Sequence, residues 1–299
     1  MVVFVLLACA STAGLLATAA ARRWPSVDPT RAAEVSARET AEHPRIRRSF
    51  VRARIDPRTA TGLGLTLALL GVIAGGTVLG LFAFLVRASD TGLLGIDRAA
   101  AVWGAEHAGS VSTFVLGAIT HLGATITISA FVIALGTYEY RRTRSLAIPA
   151  YLLVVAVGQL VVVNLIKVLV ARTRPDIDPL SVFSGASFPS GHTTAAAAVF
   201  AAAALVLGRG RSLRARSILA GAAVAIAVAV AATRVLLGVH WLSDVVAGLA
   251  LGWSLFAVCS IAFGGRIMRF GAPVVAAQRI AGEGAGHGPP EATKIDAHA

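Results

Sequence analysis

The chain has 299 residues, of which 56% are hydrophobic and only 14% charged, and its mean hydropathy is +0.76. That balance excludes an ordinary soluble domain and points to an all-α, polytopic membrane protein. The formal net charge of +12 sits mostly in arginine clusters between apolar runs, so it reads as membrane topology and not as nucleic-acid binding.

The first apolar run, 1–21, has no positive charge ahead of it and Arg22-Arg23 behind it. A secretory signal carries its positive charge first. Ala17-Thr18-Ala19 resembles a cleavage site, but the run is read as a retained transmembrane segment or signal anchor with its N-terminus outside. Residues 22–59 form an arginine-rich connector assigned to the cytoplasm, in which His43 is read as solvated. The next apolar run, 60–86, carries Gly71, Gly75, Gly76 and Gly80, whose spacings of four suit close helix packing. Residues 87–110 are mixed in character and read as a connector along the interface, with Trp103 at headgroup level.

A further span is expected over 111–137, with His121 as a hydrogen-bonded packing residue inside it. Arg141, Arg142 and Arg144 mark a positive turn. The run 146–170 spans again, and Gln159 and Asn164 are expected to hydrogen-bond between helices. An alanine-rich span over 192–208 ends in a second positive turn, Arg209 to Arg216, before the last two spans, 217–237 and 243–263. The tail, 264–299, is rich in Gly, Pro and Ala and reads as disordered and cytoplasmic, with His287 and His298 inert. Cys9 and Cys259 both lie in apolar runs, which supports neither a disulfide framework nor a zinc site.

Placing the arginine-rich loops in the cytoplasm and alternating the spans puts 87–110, 171–191 and 234–241 on the opposite side. Those segments hold the chemically suggestive residues. Arg234, His240 and Asp244 sit between two apolar runs, where charge is expensive and usually functional. If the second run is helical from the start, His240 and Asp244 share a face four residues apart. The carboxylate then fixes one ring nitrogen and leaves the other as base or nucleophile. On a soluble helix the same pair would be an ordinary solvated pair.

Lys167 and Arg174 are seven apart, nearly two helical turns, and Pro175 follows as a helix terminator. Taken alone, they also fit a helix anchored to headgroups. Pro189-Ser190-Gly191-His192 opens the alanine-rich span. A helix start there offers free N–H groups and a positive dipole end to an anion, with His192 beside it for acid–base work. An ordinary Ser190 cap with an incidental histidine fits as readily.

Together, Lys167-x6-Arg174-Pro175, Pro189-Ser190-Gly191-His192 and Arg234-x5-His240-x3-Asp244 resemble the type 2 phosphatidic acid phosphatase (PAP2) superfamily, whose members include membrane lipid phosphatases and, more distantly, vanadium haloperoxidases. Thr233 departs from the family's usual serine but keeps a hydroxyl. The resemblance covers about 60–263 and implies a six-helix core, with the N-terminal transmembrane helix and the tail outside it. It implies that His240 is the nucleophile forming a phosphohistidine, that Asp244 orients it, and that His192 is the general acid and base. Lys167, Arg174, Ser190, Gly191 and Arg234 would hold the phosphate. The expected activity is a metal- and cofactor-independent lipid phosphate or diphosphate phosphatase of the plasma membrane, acting outside the cytoplasm on a lipid held in the bilayer, such as phosphatidic acid or undecaprenyl diphosphate. A lipid phosphotransferase using the same intermediate, and a non-enzymatic lipid-binding protein, are the alternatives. No protein partner is implied.

Overall fold

The structure is a computed structural model that describes residues 1–23, 76–77, 80, 94–177, 180 and 185–267. The connector beyond Arg23, nearly all of the 60–86 span and the tail beyond Ile267 lie outside the described residues. Eight α-helices follow in order: α1 (Val2–Arg23), α2 (Leu94–His107), α3 (Ser110–Thr120), α4 (Thr125–Thr143), α5 (Ala147–Val170), α6 (Gly191–Gly208), α7 (Leu213–Leu236) and α8 (Leu242–Ile267). Among the described residues there is no strand. α1, α5, α6, α7 and α8 are long and apolar enough to cross a membrane, and α3 with α4, bent by 50° at the break between them, is so only when the two are taken as a pair. The protein is a multi-pass membrane protein.

Alanine places α6 at the centre. A helix that is apolar on every side is a buried one, and small side chains let its neighbours close in. Ala195, Ala196, Ala197 and Ala198 are all buried, and α6 packs against α4, α5, α7 and α8. Eighteen residues rise about 27 Å, close to the ~30 Å apolar slab, so α6 holds one end near each membrane face. By contrast α5 turns many of its large apolar residues outward, among them Leu153, Val157, Val161, Leu165 and Val168, as a lipid-facing helix does.

Glycine sets the close approaches between the described helices. α1 crosses α7 where a Cβ on Gly14 would sit 2.9 Å from the Gly221 carbonyl oxygen, and one on Gly221 would sit 2.6 Å from that of Gly14. α8 meets the start of α6 in the same way: a Cβ on Gly252 would lie 2.6 Å from the Thr194 carbonyl oxygen.

Three local expectations need correction. The span over 111–137 is broken by a 3₁₀ turn at His121–Gly123, and His121 is exposed there instead of packed. The break lets Gly123 press on the carbonyl of His192, 2.6 Å from a notional Cβ. The Asn164 side chain donates to Leu160 of its own helix at 2.8 Å, so it does not bridge helices there. α5 ends at Val170, well before Pro175, because Ala171 turns left-handed (φ 50°) and its N–H bonds back to Lys167 at 2.9 Å.

Candidate active site

The turn between α7 and α8 delivers the histidine that the sequence singled out. α7 stops at Leu236, and Gly238 takes φ 68°, a left-handed conformation that glycine adopts without a Cβ penalty. The chain then folds back, so that the Arg234 carbonyl accepts N–H bonds from both Val239 and His240 at 3.2 Å. His240 therefore precedes α8 and does not ride on it. Its meeting with Asp244 is made by a cap: Asp244 Oδ2 accepts the Trp241 N–H at 3.0 Å and faces His240 Nδ1 at 3.2 Å. The expected pair exists, but a turn makes it, not a shared helix face.

The proton on His240 can be placed by elimination. Arg174 Nη1 lies 3.2 Å from His240 Nε2, and a guanidinium can only donate. Nε2 must therefore accept, which leaves the proton on Nδ1, donated to Asp244. His240 and Asp244 are both buried. Burial holds the imidazole below its ordinary range, at about 4, although the Asp244 hydrogen bond and charge act the other way. The ring is thus neutral at pH 7, with its lone pair on the nitrogen beside Arg174.

Arg174 is held from several sides. Its Nη1 also donates to the Val239 carbonyl at 2.7 Å, its Nε to Gly185 at 3.0 Å and its Nη2 to Ala186 at 3.3 Å. It stands in the irregular segment after α5, so its meeting with Lys167 does not come from stacking on one helix face. Lys167, on α5, is within electrostatic range of Arg174, Asp244 and Arg234.

The start of α6 completes the cluster. The Ser190 N–H bonds to the Asp244 carbonyl at 3.1 Å, which locks this helix start to the partner of His240. Gly248 on α8 allows the approach, since a Cβ there would lie 2.9 Å from the Ser190 carbonyl oxygen. The Ser190 side chain makes no cap bond; its Oγ accepts the Thr193 hydroxyl at 2.9 Å. Its own hydroxyl hydrogen is therefore left for another acceptor. A Cβ on Gly191 would meet only Val163, at an ordinary 3.6 Å, so packing does not demand glycine at that position. His192 is partly buried in the first turn, within electrostatic range of Arg234, His240, Lys167 and His121.

Arg234 is buried at the end of α7, with Nη1 donating to Thr120 Oγ1 at 3.0 Å. Its Nε is buried without a partner among the described residues. An unmet buried donor costs about 1–3 kcal/mol, more on a charged group, so this nitrogen suits an anion brought in from outside. Thr233 keeps its hydroxyl on its own helix, donating to Val230 at 2.6 Å, which explains why threonine serves there. All eight sequence-predicted residues thus gather at one end of the bundle.

Sequence reasoning missed the support. Asp97 of α2, read as part of a connector, is buried and receives the Ser243 N–H at 2.8 Å and hydroxyl at 2.6 Å. Arg172 reaches Asp244 Oδ1 at 2.6 Å, Ser243 Oγ at 2.7 Å and Asp97 Oδ2 at 2.9 Å. Arg172 stood in view between Lys167 and Arg174. Asp97 gave no local signal, since its partners are 75 and 146 residues away.

The cluster holds four cations (Lys167, Arg172, Arg174, Arg234) against two carboxylates (Asp97, Asp244), a surplus of two positive charges around a neutral histidine. Fold and site together define a helical membrane protein with a cation-rich cluster round a histidine at one end of the bundle. Residues 147–268 match the profile of the PAP2 superfamily. Phosphatidylglycerophosphatase B of Bacillus subtilis is 35% identical over 161 residues, covering 52% of this chain and 77% of that protein. A lipid A 1-phosphatase of Rhizobium johnstonii is 38% identical over 133 residues, covering 39% of this chain and 51% of that one. The crystal structure of the transmembrane PAP2 type phosphatidylglycerolphosphate phosphatase from Bacillus subtilis superposes with a TM-score of 0.60 at 29% identity, covering 66% of this chain and 98% of that one. The chain belongs to the PAP2 superfamily, and it is a hydrolase acting on phosphate esters.

Proposed function

We propose that this protein is a lipid phosphate or diphosphate phosphatase whose core is 60–263, working on the extracytoplasmic face of the plasma membrane through a phosphohistidine. The observation that carries the proposal is His240 Nε2, an unprotonated nitrogen 3.2 Å from the Arg174 guanidinium in a pocket with two surplus positive charges. A phosphomonoester dianion matches that surplus. A phosphorus placed for attack by Nε2 has its oxygens beside Arg174.

The steps follow from the groups present. Nε2 attacks phosphorus and the bond to the lipid oxygen breaks, while Nδ1–H stays on Asp244, whose charge stabilises the phosphoimidazolium. His192 takes up a proton as the phosphate anion enters the site and gives it to the departing oxygen. It then takes one from a water whose oxygen attacks phosphorus, breaking the P–N bond and releasing phosphate. Lys167, Arg174, Arg234, the Ser190 hydroxyl and the Gly191 N–H hold the phosphoryl oxygens as charge moves onto them. Cationic side chains supply the charge stabilisation, so the reaction runs without a metal.

The arginine-bearing ends of α4 and α6 lie at the opposite end from the site, which by the positive-inside rule supports an outward-facing pocket. There it meets the headgroup of a lipid whose tails stay in the bilayer, such as phosphatidic acid, phosphatidylglycerol phosphate or undecaprenyl diphosphate. The test is phosphate release by detergent-purified protein from a panel of glycerolipid and prenyl phosphates in excess EDTA. Release from at least one of them is expected; release that stops with EDTA and returns with a divalent ion would sink the metal-free mechanism.

A further inference from the structure

Asp244 uses its two oxygens differently. Oδ2 serves the nucleophile, taking His240 Nδ1–H at 3.2 Å and the Trp241 N–H at 3.0 Å. Oδ1 is taken by Arg172 at 2.6 Å. A carboxylate bonded through one oxygen can swing about its terminal torsion, and a second bond on the other oxygen stops it.

Arg172 is itself fixed. Its guanidinium bridges Asp244, Ser243 and Asp97 and lies 5.4 Å from the centroid of the Trp241 ring. Asp97 is tied in turn to the Ser243 backbone and hydroxyl. The result is a closed ring through Asp97, Ser243 and Arg172, with side-chain exposures of 5% for Asp97, 9% for Arg172 and 0% for Asp244. None of these three hydrogen bonds of Arg172 involves Nε2, whereas Arg174, two residues on, lies 3.2 Å from it. The two arginines of one short segment therefore do different work.

We propose that Arg172, clamped by Asp97, is a positioning residue that fixes the Asp244 carboxylate and through it the orientation and tautomer of His240. α2 is on this view part of the reaction machinery, because it supplies the far end of the chain Asp97–Arg172–Asp244–His240. A lysine cannot replace the arginine: one ammonium lacks the planar fork that spans two carboxylates. The proposal rests on His240 being the nucleophile.

The experiment measures turnover of phosphatidic acid in detergent micelles by Arg172→Ala, Arg172→Lys, Asp97→Asn and His240→Ala, with inorganic phosphate as competitive inhibitor. Both Arg172 variants and, more mildly, Asp97→Asn are expected to lose about 10- to 100-fold in kcat, as outer partners of catalytic groups do. In Arg172→Lys, which keeps the charge of the site, KM and inhibition by phosphate are expected to stay unchanged. Added guanidinium is expected to restore part of the Arg172→Ala rate and none of the His240→Ala rate. Native kcat in Arg172→Lys or Asp97→Asn overturns the proposal. So does a loss that appears in phosphate inhibition as strongly as in kcat, since Arg172 would then be a phosphate ligand. If Arg172→Ala fails to fold, Arg172→Lys and Asp97→Asn decide by the same criteria. Turnover surviving in His240→Ala refutes the underlying mechanism; its loss beside native kcat in the other variants refutes the positioning role alone.

Discussion

The two ends of α6 both bury charge, and they bury it differently. At one end Glu139 of α4 is buried and paired with Arg209, whose Nε is also satisfied by the Val206 carbonyl at 2.9 Å. The one anion is paired with Arg209, and Arg142 lies within electrostatic range of the pair. At the other end, about 26 Å along the helix, four cations face two carboxylates, and Arg234 Nε is buried without a partner among the described residues. Burial alone does not distinguish a site from a strut. What differs is the neighbourhood: the first, closed end pairs its buried carboxylate with Arg209, and the second, open end gathers four cations and two carboxylates round His240.

The largest effects should come from breaking the open end at its reacting group. His240→Ala should abolish turnover while the protein still purifies and melts normally in detergent; residual hydrolysis above background would remove His240 as nucleophile. Asp244→Asn keeps the shape but favours the wrong tautomer, and should lower kcat by roughly 10²–10⁴-fold if it behaves like other histidine-orienting carboxylates. A kinetic comparison of the two variants would show how much of the open end's work is orientation.

The open end was legible because its chemistry is written in short spacings. Pro189-Ser190-Gly191-His192 and the His240–Asp244 pair can be read without knowing any long-range contact. The reasons behind those spacings were less legible. The sequence suggests a helix face for His240 and Asp244, whereas a Gly238 turn and an Asp244 cap make the contact. It also suggests stacking for Lys167 and Arg174, yet the helix ends between them at Ala171. Asp97 and Thr120 could not be found, since only packing of α2 and α3 brings them to Arg172 and Arg234. The closed end was misjudged in a simpler way: Arg209 reads as a loop charge until Glu139 is seen beside it. The glycine contacts of Gly14 with Gly221, and of Gly248 and Gly252 with α6, follow the small-residue spacing looked for in 60–86. That spacing does not say which helix will be the partner.

Acid sharpens the contrast next. Burial lowers His240 from 6.5 to about 4, so the ring stays neutral as pH falls between those values. An exposed histidine would be only about one-tenth neutral at pH 5.5. The acid limb that belongs to His240 is therefore expected near 4 in kcat/KM, separate from the substrate phosphate's own ionisation at about 6, measured on a short-chain phosphate soluble across the range; a limb near 6.5 that does not move with a substrate of lower phosphate pKa would mean that water reaches the ring. The sign for stability follows from the same shift. The unfolded chain takes up a proton that the folded site resists, so stability falls as pH drops from about 6.5 towards 4.

The smallest effect on turnover belongs to the closed end. Glu139→Ala leaves the half-buried Arg209 without its anion, and stranding such a donor costs about 1–3 kcal/mol. Thermal unfolding in detergent should therefore shift markedly downward. Replacing Glu139 and Arg209 together with leucine and methionine should recover much of that loss, because neither charge is then stranded. At a temperature where every variant is folded, kcat should match the native value, since the pair touches none of the groups around His240. A strong loss of kcat without a loss of stability would mean that the two ends are coupled through α6, and that the closed pair is more than a strut.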